Sequence, residues 1–252
     1  MTITELNTDL AERIRAATGE NVFLCYQCVK CTSGCPLADF FDYEPNQILR
    51  AAQLGMAEVA LESTTPWLCA SCMTCTTRCP QGIDVAKVMD ALTQIALQKG
   101  IAPKVPEVAL FNKVFLRNVN LLGRAYELGL MAELNLRTGQ PLKDVGMGLQ
   151  MIRKGKIRLL PEVVRPPRRA APMEKTGNPI AYYPGCSLHS MAAEFDHSTR
   201  AVAAALDLIL VEPEGWVCCG SSPAHRADPH LALKLPLQNL ALIEQMELDE
   251  VA

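Results

Sequence analysis

The chain has 252 residues, of which 49% are hydrophobic and 20% are charged. This composition supports a packed core and excludes a largely disordered chain. The formal net charge is −3, so no whole-chain basic field indicates nucleic-acid binding. No run of 18 or more apolar residues predicts a membrane span, and residues 1–15 show no secretory signal. The expected compartment is the cytoplasm.

The cysteine content decides which chemistry is considered. Eleven cysteines is a high number for a chain of this length without a secretory signal, and the number is odd. Disulfides rarely persist in a reducing cytoplasm. Clustered cysteines in that setting are therefore expected to be metal ligands or redox groups.

Eight of the cysteines form two copies of one pattern near the N-terminus. The first copy comprises Cys25, Cys28, Cys31 and Cys35, followed by Pro36; the second comprises Cys69, Cys72, Cys75 and Cys79, followed by Pro80. Both read C-x2-C-x2-C-x3-C-P, which is the bacterial ferredoxin spacing for 4Fe–4S clusters. The sequence therefore predicts two 4Fe–4S clusters. Zinc is the alternative, although zinc sites commonly pair two shorter C-x2-C units.

The spacing also predicts which cysteines share a cluster. Three closely spaced thiolates on a tight loop can reach three iron corners of one cubane, whereas the cysteine beside proline is directed away. In two-cluster ferredoxins this fourth cysteine binds the other cluster. The predicted ligand sets are Cys25, Cys28, Cys31 and Cys79 for one cluster, and Cys69, Cys72, Cys75 and Cys35 for the other.

Helical patterns lie between and after the two runs. Pro45 suits a first helical position, and Ile48 and Ala52 begin an apolar face, although Gly55 is unfavourable within one unbroken helix. Asp84 is a suitable cap for a second helix, which Gly100 ends. We therefore expect an α-helical two-cluster ferredoxin domain over residues 1–160.

A basic, proline-rich segment follows this domain. Residues 152–169 contain seven basic side chains and one acidic side chain, Glu162. The proline content predicts a semi-rigid linker over residues 161–178. Docking to an acidic partner is one interpretation, and a solvated basic linker is the preferred one.

The remaining residues, 179–252, have the rhythm of an α/β domain. A strand is predicted over residues 179–183 and another over 208–211, with a helix between them that carries Phe195, Val202 and Leu206 on one face. Cys186 follows the first strand, and the pair Cys218 and Cys219 follows the second. The predicted fold class is thus α plus α/β, and the single cysteine followed by Cys-Cys-Gly makes this second part resemble a partial cysteine-rich (CCG) domain after the helical one. The four histidines of the chain fit no ligand spacing.

These motifs resemble one enzyme family. The segments CYQCVKCTSGCP and WLCASCMTCTTRCP are similar to those of the C subunit of heterodisulfide reductase, and residues from about 179 resemble the start of its B subunit. The resemblance covers nearly the whole chain as a C–B fusion. It implies a flavin-containing A-type subunit and a B-type subunit as partners. It also implies that Cys186, Cys218 and Cys219 are three of five cysteines that hold a noncubane iron–sulfur cluster acting on a thiol heterodisulfide.

The sequence departs from the family pattern at its end. The family's C-x-x-C follows the Cys-Cys-Gly by about three dozen residues, yet only 33 residues come after Cys219 and none is cysteine. Val251 and Ala252 are expected to begin a strand. A natural truncation, a split gene and a fragment all fit this ending. We expect no noncubane cluster unless the motif is completed, and no disulfide reduction by the isolated chain. Cys218 and Cys219 as buried structural thiols are the alternative.

Three functions fit these patterns. The leading one is an iron–sulfur electron-transfer subunit that passes electrons from a flavoprotein towards disulfide reduction. A second is the iron–sulfur subunit of a glycolate- or lactate-oxidising complex. A third is a non-catalytic assembly module in which the clusters are structural. The thiol substrate, the electron donor and the cluster potentials are left open by the sequence.

Overall fold

Helices dominate the computed structural model, which describes residues 8–143, 145–157, 160–164, 178–248 and 251. Contacts divide the chain into two units, residues 1–110 and 111–252. Most of the predicted linker, including Arg165, Arg168 and Arg169, lies outside the described residues. The mostly helical structure contains one small parallel sheet, which confirms the predicted α plus α/β class.

The first unit is built of seven helices and the start of an eighth, within the described residues. They are α1 (Asp9–Thr18), α2 (Lys30–Ser33), α3 (Pro45–Gln53), α4 (Ala57–Glu62), α5 (Thr65–Leu68), α6 (Thr74–Thr77), α7 (Val85–Gln98) and α8 (Pro106–Leu122), the last of which crosses the boundary between the units. Two short 3-10 turns, Val22–Leu24 and Ala38–Phe40, lie beside the first cysteine run.

The ends of the main helices follow from local side-chain chemistry. Pro45 occupies the first turn of α3, where Glu44 and Gln47 form a capping box. The Asp84 carboxylate accepts a hydrogen bond of 3.0 Å from the Lys87 backbone N–H and so caps α7. Gly55 has a φ of +71° and separates α3 from α4. The predicted helix starts at Pro45 and after Asp84 are confirmed.

The core of the first unit lies where α1, α3, α4 and α5 pack against one another and against α7. Ile14, Ile48 and Leu92 are fully buried, and Trp67 is nearly so. Cys25, Cys69, Cys75 and Cys79 are half-buried against this core. Burial of the apolar helix faces therefore fixes the positions of the cysteine runs.

Asp42 connects the end of the first run to the start of the second. Its carboxylate accepts hydrogen bonds from the Thr64 backbone N–H at 2.9 Å, the Thr64 hydroxyl at 2.9 Å and the Tyr43 N–H at 2.9 Å. Burial alone would raise the pKa of Asp42, but these hydrogen bonds outweigh it and hold the pKa below its ordinary value of 3.8. Because the pKa of Asp42 is lower in the folded protein, its ionised carboxylate stabilises the folded state above pH 3.8. This stabilisation is lost as the pH falls through the folded-state pKa.

We predict that Asp42→Asn lowers the free energy of unfolding at pH 7 by about 1 kcal/mol, because one carboxylate satisfies several donors there. Urea denaturation at pH 7 measures the difference. Asp39→Asn is the matched control, since it removes an exposed carboxylate from the same segment. Equal effects of the two substitutions would contradict the role assigned to Asp42.

The second unit combines helices with the sheet. After α8 come α9 (Glu127–Arg137), α10 (Val145–Arg153), β1 (Pro179–Ala181), α11 (Gly185–Leu188), α12 (Ala193–Ala205), β2 (Ile209–Val211), α13 (Ser221–Ala227) and α14 (Pro229–Glu244). β1 and β2 are parallel, with Ile180 opposite Leu210. The α/β rhythm predicted for this part is therefore confirmed.

Val251 forms an isolated parallel bridge with Ala181. This pairing agrees with the strand that was predicted to begin at Val251. Ala252, the second residue of that predicted strand, lies outside the described residues. Phe195, Val202 and Leu206, expected on one face of the intervening helix, are 69%, 60% and 64% exposed. Their shared face on α12 is thus directed to solvent within this unit.

Buried Asn239 anchors α14 to the segment before the cysteine pair. Its side-chain amide donates to the Val217 carbonyl and its oxygen accepts from the Val217 N–H, both at 2.8 Å. Val119 of α8 packs against Val217, Cys218 and Leu235. The last turns of α8 consequently group with the cysteine-rich residues, so the structural division at residue 110 differs from the expected domain end at residue 160.

Within the residues that the structure describes, no helix combines the length and the apolar character needed to cross a bilayer.

Candidate metal centres

The two ferredoxin-type runs adopt the same unusual backbone. Gln27 and Val29 have φ values of +61° and +64°, and Ser71 and Met73, at the equivalent positions, have values of +50° and +63°. Non-glycine residues rarely enter this left-handed region, and a β-branched residue such as Val29 is an outlier there. Such strain of about 1–3 kcal/mol per residue is typical of functional loops. The repeated pattern curls each loop so that three cysteines lie along one short turn.

Each loop runs directly into a one-turn helix that carries its third cysteine. Cys31 is the second residue of α2, and Cys75 is the second residue of α6. The two short helices pack against each other. Pairing of α2 with α6 brings the two cysteine runs side by side.

One cavity joins the fourth cysteine of the first run to the second run. Its volume is about 410 Å³, and its walls include Cys35 together with Cys69, Cys72 and Cys75. Apolar side chains, among them Met89, complete the lining. These four sulfurs are the set predicted for one cluster.

The fourth cysteine of the second run lies near the first run. Desolvation, followed by the charges of the Cys28, Cys79 and Cys25 thiolates, raises the pKa of Tyr26. Tyr26 stands between Cys25 and Cys28 in the first loop, so the thiol of Cys79 lies within electrostatic range of that loop. This electrostatic effect agrees with the predicted crossed ligand sets, which stay a prediction.

The donor set fits iron–sulfur clusters chemically. All eleven cysteines fall among the described residues and are thiols rather than disulfides. Burial, followed by the nearby Cys69 thiolate, raises the pKa of Cys75 to about 11. Such thiols bind metal only on losing their protons, and the positive charge of iron favours that loss. Among the described residues no three Cys, His, Asp or Glu side chains converge on one ion position; a cubane instead spreads its ligands over four iron corners.

A polar network holds the first loop. The buried Gln53 amide donates to the carbonyls of Val22 at 2.9 Å and Cys25 at 2.8 Å. The Gln27 amide donates to the Cys25 sulfur at 3.3 Å, and Asn46 donates to the Gln27 oxygen at 3.2 Å. The supporting roles of Gln27 and Asn46 could not be predicted from the sequence, because nothing in the cysteine spacing specifies these contacts.

The second unit brings Cys186, Cys218 and Cys219 together. Cys218 hydrogen-bonds to both of the others. Its bond with Cys186 lowers the pKa of Cys186, and its bond with Cys219 lowers the pKa of Cys219 to about 6. The same bonds, together with burial, raise the pKa of Cys218 far above its ordinary range. Of the three thiols, Cys218 therefore holds its proton most tightly.

The connection between α8 and α9 forms one wall of this three-cysteine site. The Cys218 N–H donates to the Gly123 carbonyl at 2.8 Å, and the Ala125 N–H hydrogen-bonds to Cys186. The Arg124 guanidinium lies 3.7 Å from the centre of the Trp216 ring and donates to the Trp216 carbonyl at 3.1 Å. Arg124 lies far from Cys186 along the chain and belongs to no cysteine motif, so the sequence offered no signal for it.

His189 lies in a polar network on the same side. Its Nε2 is 3.0 Å from the Glu212 carboxylate, and its ring packs edge-on against Trp216 with the centroids 5.2 Å apart. Glu212 also pairs with Arg200 at 3.3 Å. These contacts surround Cys186 with interacting polar and aromatic side chains.

Comparisons with protein families identify both parts of the chain. Residues 24–84 match the family described as a 4Fe-4S dicluster domain, and residues 180–252 match the Cysteine-rich domain. All eight ferredoxin-type cysteines fall within the first match and the other three within the second. The prediction of two 4Fe–4S clusters is thereby confirmed, whereas the ligand assignment to individual cysteines stays a prediction.

Curated relatives match the dicluster part. The chain is 47% identical over 69 residues to the membrane anchor subunit of 8-methylmenaquinol:fumarate reductase from Wolinella succinogenes, which covers 27% of this chain and 24% of the relative. It is 31% identical over 107 residues to the C subunit of the H(2):CoB-CoM heterodisulfide,ferredoxin reductase of Methanothermobacter marburgensis, covering 42% of this chain and 58% of the relative. The iron-sulfur C subunit of the CoB–CoM heterodisulfide reductase of Methanopyrus kandleri is 36% identical over 92 residues, covering 36% and 48%.

The predicted resemblance to the C subunit of heterodisulfide reductase is confirmed by these relatives. The chain spans about a quarter to three fifths of the relatives' own lengths. Their names describe reductase subunits, so the glycolate- or lactate-oxidase alternative is not favoured.

The crossed ligand sets predict an asymmetry between variants. Cys79→Ser should disturb the cluster held by Cys25, Cys28 and Cys31, since its sulfur completes that set. Cys35→Ser should disturb the other cluster. Electron paramagnetic resonance of the two reduced variants distinguishes the clusters. If each substitution altered only the cluster of its own run, the assignment would be wrong.

Gly123 provides a test of the wall beside the three cysteines. Its φ is +80°, and a Cβ added there would lie 2.3 Å from the Val164 carbonyl oxygen. Gly139 has a φ of +72° with no heavy atom within 4 Å of the added Cβ, so it is the matched control. We predict that Gly139→Ala costs about 1–2 kcal/mol from the left-handed backbone alone. Gly123→Ala should cost clearly more in thermal unfolding followed by circular dichroism; equal losses would contradict the close packing of this wall.

Proposed function

We propose that the protein is the iron–sulfur electron-transfer subunit of a heterodisulfide-reductase-like complex. In this function it receives electrons from a flavoprotein partner, an A-type subunit, and passes them towards a B-type site of disulfide reduction. The observation that carries the proposal is the cavity of the second run, in which Cys35 lies with Cys69, Cys72 and Cys75.

When bound, the two 4Fe–4S clusters supply one-electron transfer without proton or group chemistry. The chain's own residues hold and insulate them. The packed core beneath Cys25, Cys69, Cys75 and Cys79 excludes water from one side of each set. Cys28 and Cys72 are exposed, so each set also has one cysteine at the protein surface. Burial on one side and exposure on the other suits a centre that exchanges electrons with a docked partner.

The three cysteines of the second unit have a separate proposed role. Cys186, Cys218 and Cys219 are assigned as part of a noncubane site that needs further cysteine ligands. Their mutual hydrogen bonds and the Ala125 N–H support a site built for several negatively charged sulfurs. We expect no disulfide turnover from these three alone, and a functional division of the chain into a two-cluster part and a cysteine-rich part.

A second candidate function differs in the final electron acceptor. The 47% identity to a fumarate reductase subunit favours an electron-transfer subunit of a quinol-linked reductase. The two-cluster chemistry is the same in both functions. Isolation of the native complex distinguishes them, because a heterodisulfide-type complex contains a B-type subunit and a quinol-linked complex oxidises a quinol.

The proposed compartment is the cytoplasm. Cysteines held as thiols rather than disulfides are in the state that a reducing compartment maintains. Fractionation of the native cells, with detection of this protein in each fraction, tests this assignment.

We predict about eight iron and about eight acid-labile sulfides per chain after anaerobic purification, since each cubane contains four of both. Reductive titration should then take up about two electrons per chain and be reversible. Elemental analysis and visible spectroscopy measure these quantities.

Cys218→Ala is the control for this experiment, because Cys218 lies outside both predicted cubane sets and its loss should leave eight iron in place. Zinc in protein made under iron-replete, anaerobic conditions would overturn the cluster assignment. Clusters that resist reversible reduction would instead favour the assembly module, in which iron–sulfur centres only hold the fold.

A further inference from the structure

We infer that Gln27 sets the reduction potential of the cluster bound by Cys25, and that Asn46 is the positioning residue that orients Gln27. The inference rests on the proposed function, because it concerns the loaded dicluster domain. It goes beyond that function by assigning the control of one potential to two residues that are not themselves cluster ligands.

The contact itself is direct. The Gln27 Nε2 atom donates to Cys25 Sγ at 3.3 Å, and both residues are half-buried. Gln27 has a φ of +61°, in the left-handed region, like the equivalent position of the second run. Hydrogen bonds that involve an ionised sulfur are stronger than those between neutral groups.

A chain of hydrogen bonds fixes which end of the Gln27 amide meets the sulfur. The Thr32 hydroxyl donates to Asn46 Oδ1 at 2.6 Å, so the other end of Asn46 is its NH2 group. That NH2 group donates to Gln27 Oε1 at 3.2 Å, which leaves the Gln27 NH2 group facing Cys25. The flipped Gln27 amide would direct its oxygen at the ionised sulfur and be repelled, so a thiolate at Cys25 selects this direction of the hydrogen bonds.

The consequence for the potential follows from charge. Reduction adds one negative charge to the cluster and its thiolates, and a donor aimed at a ligand sulfur stabilises that charge. Gln27 therefore favours the reduced state. Its removal should lower the potential of this cluster, whereas a purely structural role for Gln27 would change stability and leave the potential in place.

The equivalent position of the second run offers a matched control. Ser71 also stands two residues after the first cysteine and has a φ of +50°, and its hydroxyl donates to Asp90 Oδ1 at 3.3 Å. Ser71→Ala thus changes a polar side chain in the same backbone setting, at the other loop. It should not move the potential of the cluster that Cys25 binds.

The test is an equilibrium redox titration of the loaded full chain, followed by electron paramagnetic resonance. Gln27→Met removes the donor without adding charge. It should reduce the ratio of reduced to oxidised cluster about tenfold at a fixed potential, which is about 59 mV for one electron. Asn46→Leu keeps Gln27 but removes its orienting partner, and should shift the same signal in the same direction by less. The double variant should shift it no further than Gln27→Met, since both substitutions act through one hydrogen bond.

The outcomes separate the inference from the function on which it rests. A Gln27→Met protein with eight iron and an unchanged potential would overturn the inference and leave the electron-transfer function standing. Wild-type protein without two reducible clusters would overturn the function itself. If Gln27→Met fails to load, Asn46→Leu decides, because its unchanged potential would contradict the relay and a lowered one would support it.

Discussion

The pairing of α2 with α6 holds the two cysteine runs side by side, and the rest of the first unit supports this placement. A cubane needs four thiolates around it, and a single tight loop presents three of them in the right place. In the proposed crossed arrangement, Cys35, which lies in the cavity of the second run, and Cys79 supply these fourth ligands. Everything that keeps the runs side by side contributes to metal binding.

Three features keep them there. The short helices α2 and α6 pack against each other directly after the strained loops. Asp42 ties the segment after Cys35 to Thr64, shortly before Cys69. The apolar core beneath α7 supports both runs from one side. In this arrangement the strain of Val29 and its counterparts is offset by packing that involves both runs, so the sites are properties of the unit rather than of separate loops.

The sequence predicted the chemistry of the first unit well because cysteine spacing encodes it. The C-x2-C-x2-C-x3-C-P pattern identified all eight cysteines of the dicluster domain, and Pro45 and Asp84 marked the helix starts that the structure has. It did not predict Gln27, Asn46 or Arg124 as supporting residues. Their contacts depend on side chains brought together by tertiary packing, over separations from 2 to 92 residues along the chain. The grouping of Val119 with Cys218 and Leu235 likewise depends on tertiary packing, which no local pattern in the sequence specifies.

The central claim is that each cluster takes three ligands from one run and its fourth from the other. A crystal structure of the anaerobically loaded protein, with iron located by its anomalous scattering, tests it most directly. The account predicts one four-iron centre bonded to Cys25, Cys28, Cys31 and Cys79, and a second bonded to Cys69, Cys72, Cys75 and Cys35. A four-iron centre bonded to all four cysteines of a single run would contradict it.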